Sequence, residues 1–193
     1  MKSFRKKMKD NSGFTLVEIA IVMVIIGLLI GGVLKGQEMI KNAKIKRVVK
    51  TSDEVRAAVF TYQDRFGYYP GDDPLATTHT GDAGVRPGNG NGQIAAAEDQ
   101  AVFEHLATVG LISGSASAYA AGTLPSHPFG GTYTLLYGNR VGKASNWITY
   151  TLVPVDAAIA MDTSLDDGDY QTGCIRASAA YSGTTPVTLW VDL

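Results

Sequence analysis

The sequence predicts an α+β chain, in which one long N-terminal helix, half of it transmembrane, packs against a head built on a small antiparallel sheet. Three observations predict it. Residues 14–34 are apolar except for Thr15, the glycines and Glu18. Val48, Ser52, Val55, Val59, Tyr62 and Phe66 then recur at alternating spacings of four and three, which marks one face of a helix turned toward a partner surface. Beyond Pro128 the pattern changes to short runs rich in Thr, Tyr, Leu and Val, separated by Gly and Asn, as antiparallel strands require.

The apolar run sets the first element. At a rise of ~1.5 Å per residue, residues 14–34 extend over roughly the 30 Å of a bilayer's hydrocarbon core. Glu18 is the anomaly within it, because a carboxylate at that depth costs several kcal/mol unless it is neutral or paired. An acid placed there is a functional residue by default, and it needs a partner.

The formal net charge of -1 conceals a segregation. Residues 1–13 carry five Lys/Arg against Asp10, and residues 35–50 carry six against Glu38. From Gly67 onward four Lys/Arg face twelve Asp/Glu, a difference of 4 - 12 = -8. A basic stem thus carries an acidic head, which argues against nucleic acid binding by the head. Cys174 is the only cysteine, so an intrachain disulfide is excluded, and with no CxxC partner it reads as a small buried hydrophobe.

Residues 1–13 are short, basic and polar, and the apolar stretch follows the small residue Gly13 instead of preceding it. A secretory signal has the reverse order. Gly13 before Phe14, the run Phe14-Thr-Leu-Val-Glu18 and the uncharged stretch beyond it resemble the class III leader of type IV pilin-like proteins, which include type IV pilins, minor pilins and type II secretion pseudopilins. The resemblance implies a pilin-like fold. It also implies a prepilin peptidase that cuts between Gly13 and Phe14 on the cytoplasmic side and methylates the new amine of Phe14. In the family's filaments the residue matching Glu18 pairs with the N-terminal amine of a neighbouring subunit, so Glu18 is the expected assembly contact.

Lys35, Lys41, Lys44, Lys46, Arg47 and Lys50 flank the far end of the apolar run as densely as the leader flanks the near end, so positive charge alone does not orient it. The processing motif does, since the leader must meet its peptidase in the cytoplasm. No proline lies between Phe14 and Tyr69, and the helix is expected to continue from 14 to 66, about 80 Å long. Gly67 and Tyr69-Pro70 end it. Many pilins have a proline within the membrane segment; this chain has Gly31-Gly32, each costing ~1 kcal/mol relative to alanine, as a soft point or a close-packing site. The expected organisation is a cleaved leader over 1–13, a transmembrane helix over 14–34, its amphipathic continuation over 35–66 and an acidic head over 67–193.

Residues 69–93 are dense in Gly, Pro, Asp and Asn and read as a long loop. Asp72, Asp73, Asp82, Asn89 and Asn91 are hard oxygen donors of the kind calcium takes, although turn chemistry is the default account and the spacing matches no EF-hand. His79 reads as a solvated loop residue. Residues 95–112 read as a helix with Val102, Phe103, Leu106, Val109 and Ile112 inside, Glu98, Asp99 and Glu104 outside, and His105 part-buried. Residues 113–122 read as a loop, 132–137 and 147–153 as a hairpin turning at Gly138-Asn139 or Gly142, 154–162 as a short helix, and 174–179 and 187–191 as final strands.

Asp162, Asp166, Asp167 and Asp169 form a second acidic turn. Tyr69-Pro-Gly-Asp72, Gly88-Asn-Gly-Asn-Gly92, Glu104-His-Leu106 with Gly110-Leu-Ile112, and Asp162 with Asp166-Asp-Gly168 resemble a minor-pilin-like branch of the same family. Some type II pseudopilins hold calcium where other pilins place a disulfide. That makes the 162–169 turn the better ion candidate of the two, although a solvated turn is the default account.

No GxSxG, P-loop, metal-spaced His/Cys cluster or Cys/His pairing is visible, so the chain is read as a non-enzyme with no cofactor other than a calcium ion. The expected function is a structural subunit of a pilus or pseudopilus filament, held in the inner membrane with its head in the periplasm until assembly. Its expected partners are the prepilin peptidase, homologous subunits, the assembly platform and the membrane. The alternative is a minor tip subunit that binds a surface, a secreted substrate or DNA.

Overall fold

A computed structural model of the chain describes residues 13–193, so the leader expected over 1–13 lies, apart from Gly13, outside the described residues. The chain divides into two compact units, Met1–Lys41 and Asn42–Leu193. One helix, α1 (Leu16–Phe66, 51 residues), contributes to both.

The described part of the first unit is the beginning of α1. It starts at Leu16 rather than at the expected Phe14, because Thr15 occupies the position that caps the helix and 13–15 stay non-helical. Its apolar side chains are exposed in every direction, and the helix is long and apolar enough to cross a membrane.

In the second unit α1 buries Ile45, Val48, Thr51, Ser52, Val55, Ala58, Val59 and Tyr62. The expected face is therefore the buried one, with Phe66 only partly covered. The helix ends where Gly67 takes a φ of 80° and donates its N–H to the Gln63 carbonyl at 2.7 Å. That left-handed position is available to glycine without the Cβ penalty.

Four strands form one antiparallel sheet in the order β1-β2-β4-β3: β1 (Tyr133–Arg140), β2 (Lys143–Val153), β3 (Ile175–Ala177) and β4 (Val187–Asp192). The β1–β2 hairpin turns at Val141-Gly142, with φ of 47° and 89°. Gly138-Asn139, the other expected turn, lies inside β1. The inward residues Leu135, Ile148, Tyr150, Ile175, Leu189 and Val191 join the α1 face in one core. The Ser52 and Tyr150 hydroxyls, 2.7 Å apart, pair helix to sheet.

Three further helices close this core: α3 (Asp99–Thr108), α4 (Ala116–Ala120) and α5 (Val155–Leu165). A short helix, α2 (Ala76–Thr80), interrupts the expected 69–93 loop, and α4 interrupts the expected 113–122 loop. Helix α3 is shorter than the expected 95–112, and Glu98 and Glu104 are buried rather than outside. Both find donors: Glu98 accepts from Asn89 and the Ala95 N–H, and Glu104 from Arg86 at 3.1 Å. His105 is fully buried, not part-buried, because its ring joins Gly71 to Arg86. Cys174 is exposed, against expectation; it lies in the turn just before β3 rather than on the inward face of a strand.

Candidate functional site

At the start of α1, Thr15 and Glu18 satisfy each other. The Thr15 N–H and hydroxyl donate to Glu18 Oε2 at 2.8 and 2.7 Å, and the Glu18 N–H donates to Thr15 Oγ1 at 3.2 Å. This reciprocal arrangement is a capping box, whose sequence signature is Thr-x-x-Glu ahead of an apolar run. Glu18 thus has a local partner, Thr15, which the expectation of a distant one did not include. Because both donors converge on Oε2, Oε1 has no hydrogen-bond donor among the described residues.

The surroundings make that oxygen consequential. Phe14 is 83% exposed, and Leu16, Val17, Ile19, Ile21 and Val22 are exposed with it. Such a surface is stable only against lipid or other apolar helices, and either environment removes water from Glu18. Gly13 and Phe14 stand next to one another in non-helical backbone before the capped turn, so the bond between them is not locked into helical hydrogen bonding.

The acidic turn after α5 brings three of its four expected residues together. One carboxylate oxygen each from Asp162, Asp166 and Asp167 fall within 4.8 Å of one another. Asp169 is outside this group; it donates its N–H to Asp167 Oδ1 at 2.9 Å and accepts from the Gln171 N–H. Asp162 is fully buried, accepting from the Tyr181 hydroxyl at 2.5 Å and the Gly168 N–H at 3.1 Å. Burial pushes its carboxyl above the usual range, and the neighbouring Asp167 and Asp166 push the same way against those two hydrogen bonds. Asp167 is held below the usual range by the Thr172 hydroxyl and the Asp169 N–H. Asp166 Oδ2 accepts the N–H groups of Cys174 and Ile175 at 2.5 and 2.8 Å. Tyr181 is a member that spacing did not reveal, because it lies nineteen residues from Asp162.

The first acidic loop is arranged differently. Asp72 is buried and accepts N–H groups from Gly90, Asn91 and Gly92 at 2.8, 3.1 and 2.7 Å, which fastens the Gly-Asn-Gly-Asn-Gly segment to the end of α1's core. Asp73 is buried between Tyr62 Oη at 2.8 Å, His79 Nδ1 at 2.6 Å and the Leu75 N–H at 2.8 Å. Asp82 caps an exposed turn through the Gly84 N–H. Asn89 and Asn91 accept from the N–H groups two residues on. Among the described residues, Asp72, Asp73 and Asp82 form no cluster with metal-ligand spacing. His79, expected to be solvated, is bound to Asp73 and stacked on Phe66 with ring centroids 5.0 Å apart.

A family model described as the prokaryotic N-terminal methylation motif matches residues 8–34. That span contains Gly13, Phe14, the capping box and the apolar run. No curated protein and no solved structure matches the chain.

Proposed function

We propose that this chain, a type IV pilin-like protein by the class III prepilin leader over residues 8–34, is a structural subunit of a pilus or secretion-pseudopilus filament. The observation that carries the proposal is Glu18 Oε1, an acceptor without a donor among the described residues, in an apolar surface five residues past Gly13. A prepilin peptidase removes 1–13 and methylates the Phe14 amine. The subunit waits in the inner membrane, its head on the periplasmic side. On entry into the filament, Glu18 Oε1 receives the Phe14 ammonium of a neighbour. That pairing offsets the desolvation of both charges and penalises any register that leaves one unmatched.

The test compares Glu18→Ala and Glu18→Gln with the unchanged chain for membrane insertion, cleavage and filament yield. Normal insertion with filament yield reduced at least tenfold supports the pairing; normal filaments from Glu18→Ala exclude it. Mass spectrometry of the mature N-terminus checks the processing step, and a chain beginning at any residue other than Phe14 rejects it.

In the same reading the turn formed by Asp162, Asp166 and Asp167 holds a calcium ion as a structural clamp. Three carboxylates within 4.8 Å supply hard oxygens and a repulsion that a divalent cation relieves. A melting temperature that excess chelator leaves unchanged removes this part of the proposal.

A further inference from the structure

Within the second unit, a cleft of about 660 Å³ opens between α1, the residues following α3, α4 and the segment leading into β1. Its volume lies inside the range of small-molecule sites. Nothing in the processing or assembly reading uses it.

The walls are of two kinds. Tyr119 and Tyr133 give aromatic surface, and both rings rest on the buried Phe103, with centroids 5.7 and 5.6 Å from it. Their hydroxyls are poorly engaged: the Tyr119 hydroxyl reaches only the Ser113 carbonyl at 3.4 Å, and that of Tyr133 has no hydrogen-bond partner among the described residues. Burial raises the Tyr133 phenol above its ordinary value, so it stays a protonated, neutral donor at physiological pH. Arg47 and Glu54 of α1 supply the other kind of wall. Their closest approach is 3.9 Å and both side chains are half exposed or more, although Lys50 also approaches Glu54 at 3.5 Å. Pairs of this kind contribute only ~0–1 kcal/mol, so a ligand displaces them at little cost.

This composition selects a ligand class. An anion meets Glu54, a cation meets Arg47, and an acyl chain offers no hydrogen bond to the arginine, the glutamate or the two phenol hydroxyls while taking water from them. A ligand with many neutral hydroxyl groups satisfies all of them, because each hydroxyl both donates and accepts. The C–H faces of its rings stack on the phenol rings, whose faces carry partial negative charge. We propose that the cleft binds a neutral oligosaccharide of two or three sugar rings. Arg47 and Glu54 hydrogen-bond its hydroxyls, and Tyr119 and Tyr133 form the stacking platform. The site stands apart from filament assembly and makes the head a carbohydrate-binding surface whether the subunit is numerous or confined to a tip.

Full-length protein in a sugar-free detergent such as dodecylphosphocholine is titrated calorimetrically with maltotriose, cellotriose and triacetylchitotriose. Binding of at least one of the three with a Kd on the order of 1 mM or tighter is expected. Tyr119→Ala and, as an exposed change that spares the core, Glu54→Gln each weaken it by about tenfold. Glu18→Ala leaves it unchanged, which separates this site from the assembly contact. Failure of all three sugars to bind, or affinity in Glu54→Gln and Tyr119→Ala equal to that of the unchanged chain, overturns the proposal.

Discussion

Thr15 and Glu18 hold each other at the start of α1 through three hydrogen bonds, two of them converging on a single carboxylate oxygen. Under the proposed pairing one residue has two tasks: Oε2 starts the helix and Oε1 would receive an intermolecular partner. The tasks separate by mutation. Thr15→Ala removes the cap while keeping the carboxylate, at a cost of about 1 kcal/mol in the first turn. Hydrogen exchange in micelles is expected to show the amides of Glu18 and Ile19, which Thr15 holds through its hydroxyl and its carbonyl, opening about fivefold more readily, with exchange beyond the second turn unchanged.

Asp73 is buried and satisfies Tyr62, His79 and the Leu75 N–H at once, so its loss is felt at all three. Asp73→Ala leaves a buried phenol and a backbone N–H unpaired and is expected to cost about 3 kcal/mol. Asp73→Asn keeps an acceptor and costs less. Denaturant unfolding of the two variants in detergent checks the order.

Stability is expected to fall as pH is lowered from about 7 toward 5. His105 and His127 are both buried, and burial holds both imidazoles below their ordinary value. A depressed histidine pKa means that the unfolded chain takes up the proton first. The unfolded state therefore binds more protons below about pH 6.5, the unperturbed histidine value, and acid favours it. Each histidine contributes at most about 1.4 kcal/mol per pH unit in that window. Thermal midpoints at pH 7.5 and 5.5 read the effect, and a higher midpoint at the lower pH contradicts it.

Val141 occupies the first left-handed position of the β1–β2 turn, where a β-branched side chain is disfavoured. Asparagine tolerates this conformation, and Asn-Gly is the favoured pair for such a turn. Val141→Asn is expected to stabilise the protein by about 1 kcal/mol. Arg176 donates to the backbone carbonyl of Val141, so the substitution leaves that contact intact. A melting temperature at or below that of the parent contradicts the expectation.

Periodic burial was legible in the sequence, and chemistry that closes over long separations was not. The α1 face from Val48 to Tyr62 follows from spacing alone, as does the hairpin from its Thr and Tyr content. The burial of Glu104 and His105 cannot be read from spacing because their partners Arg86 and Gly71 lie on another segment, and His79 turns inward because its neighbour Asp73, in the same segment, is itself buried. Of the two expected hairpin turns the structure uses Gly142, with Val141 before it in a left-handed position that turn chemistry ordinarily gives to asparagine or glycine. At the start of α1, Thr-x-x-Glu ahead of an apolar run is itself the signature of a capping box, so the local partner of Glu18 was legible in the sequence. Of the acidic turn, the three converging carboxylates were anticipated as a cluster, whereas Tyr181 arrives from beyond β3 and no local spacing announces it.

The exposed Cys174 has a practical consequence. Local burial and the adjacent Asp166 carboxylate raise its thiol above the ordinary value, so it should label slowly with maleimide near neutral pH. Under the calcium reading proposed above, a cation seated among Asp162, Asp166 and Asp167 would neutralise that carboxylate and speed the reaction. The rate at which the chain's single thiol takes up a fluorogenic maleimide, with and without calcium, would then report ion occupancy without altering a residue.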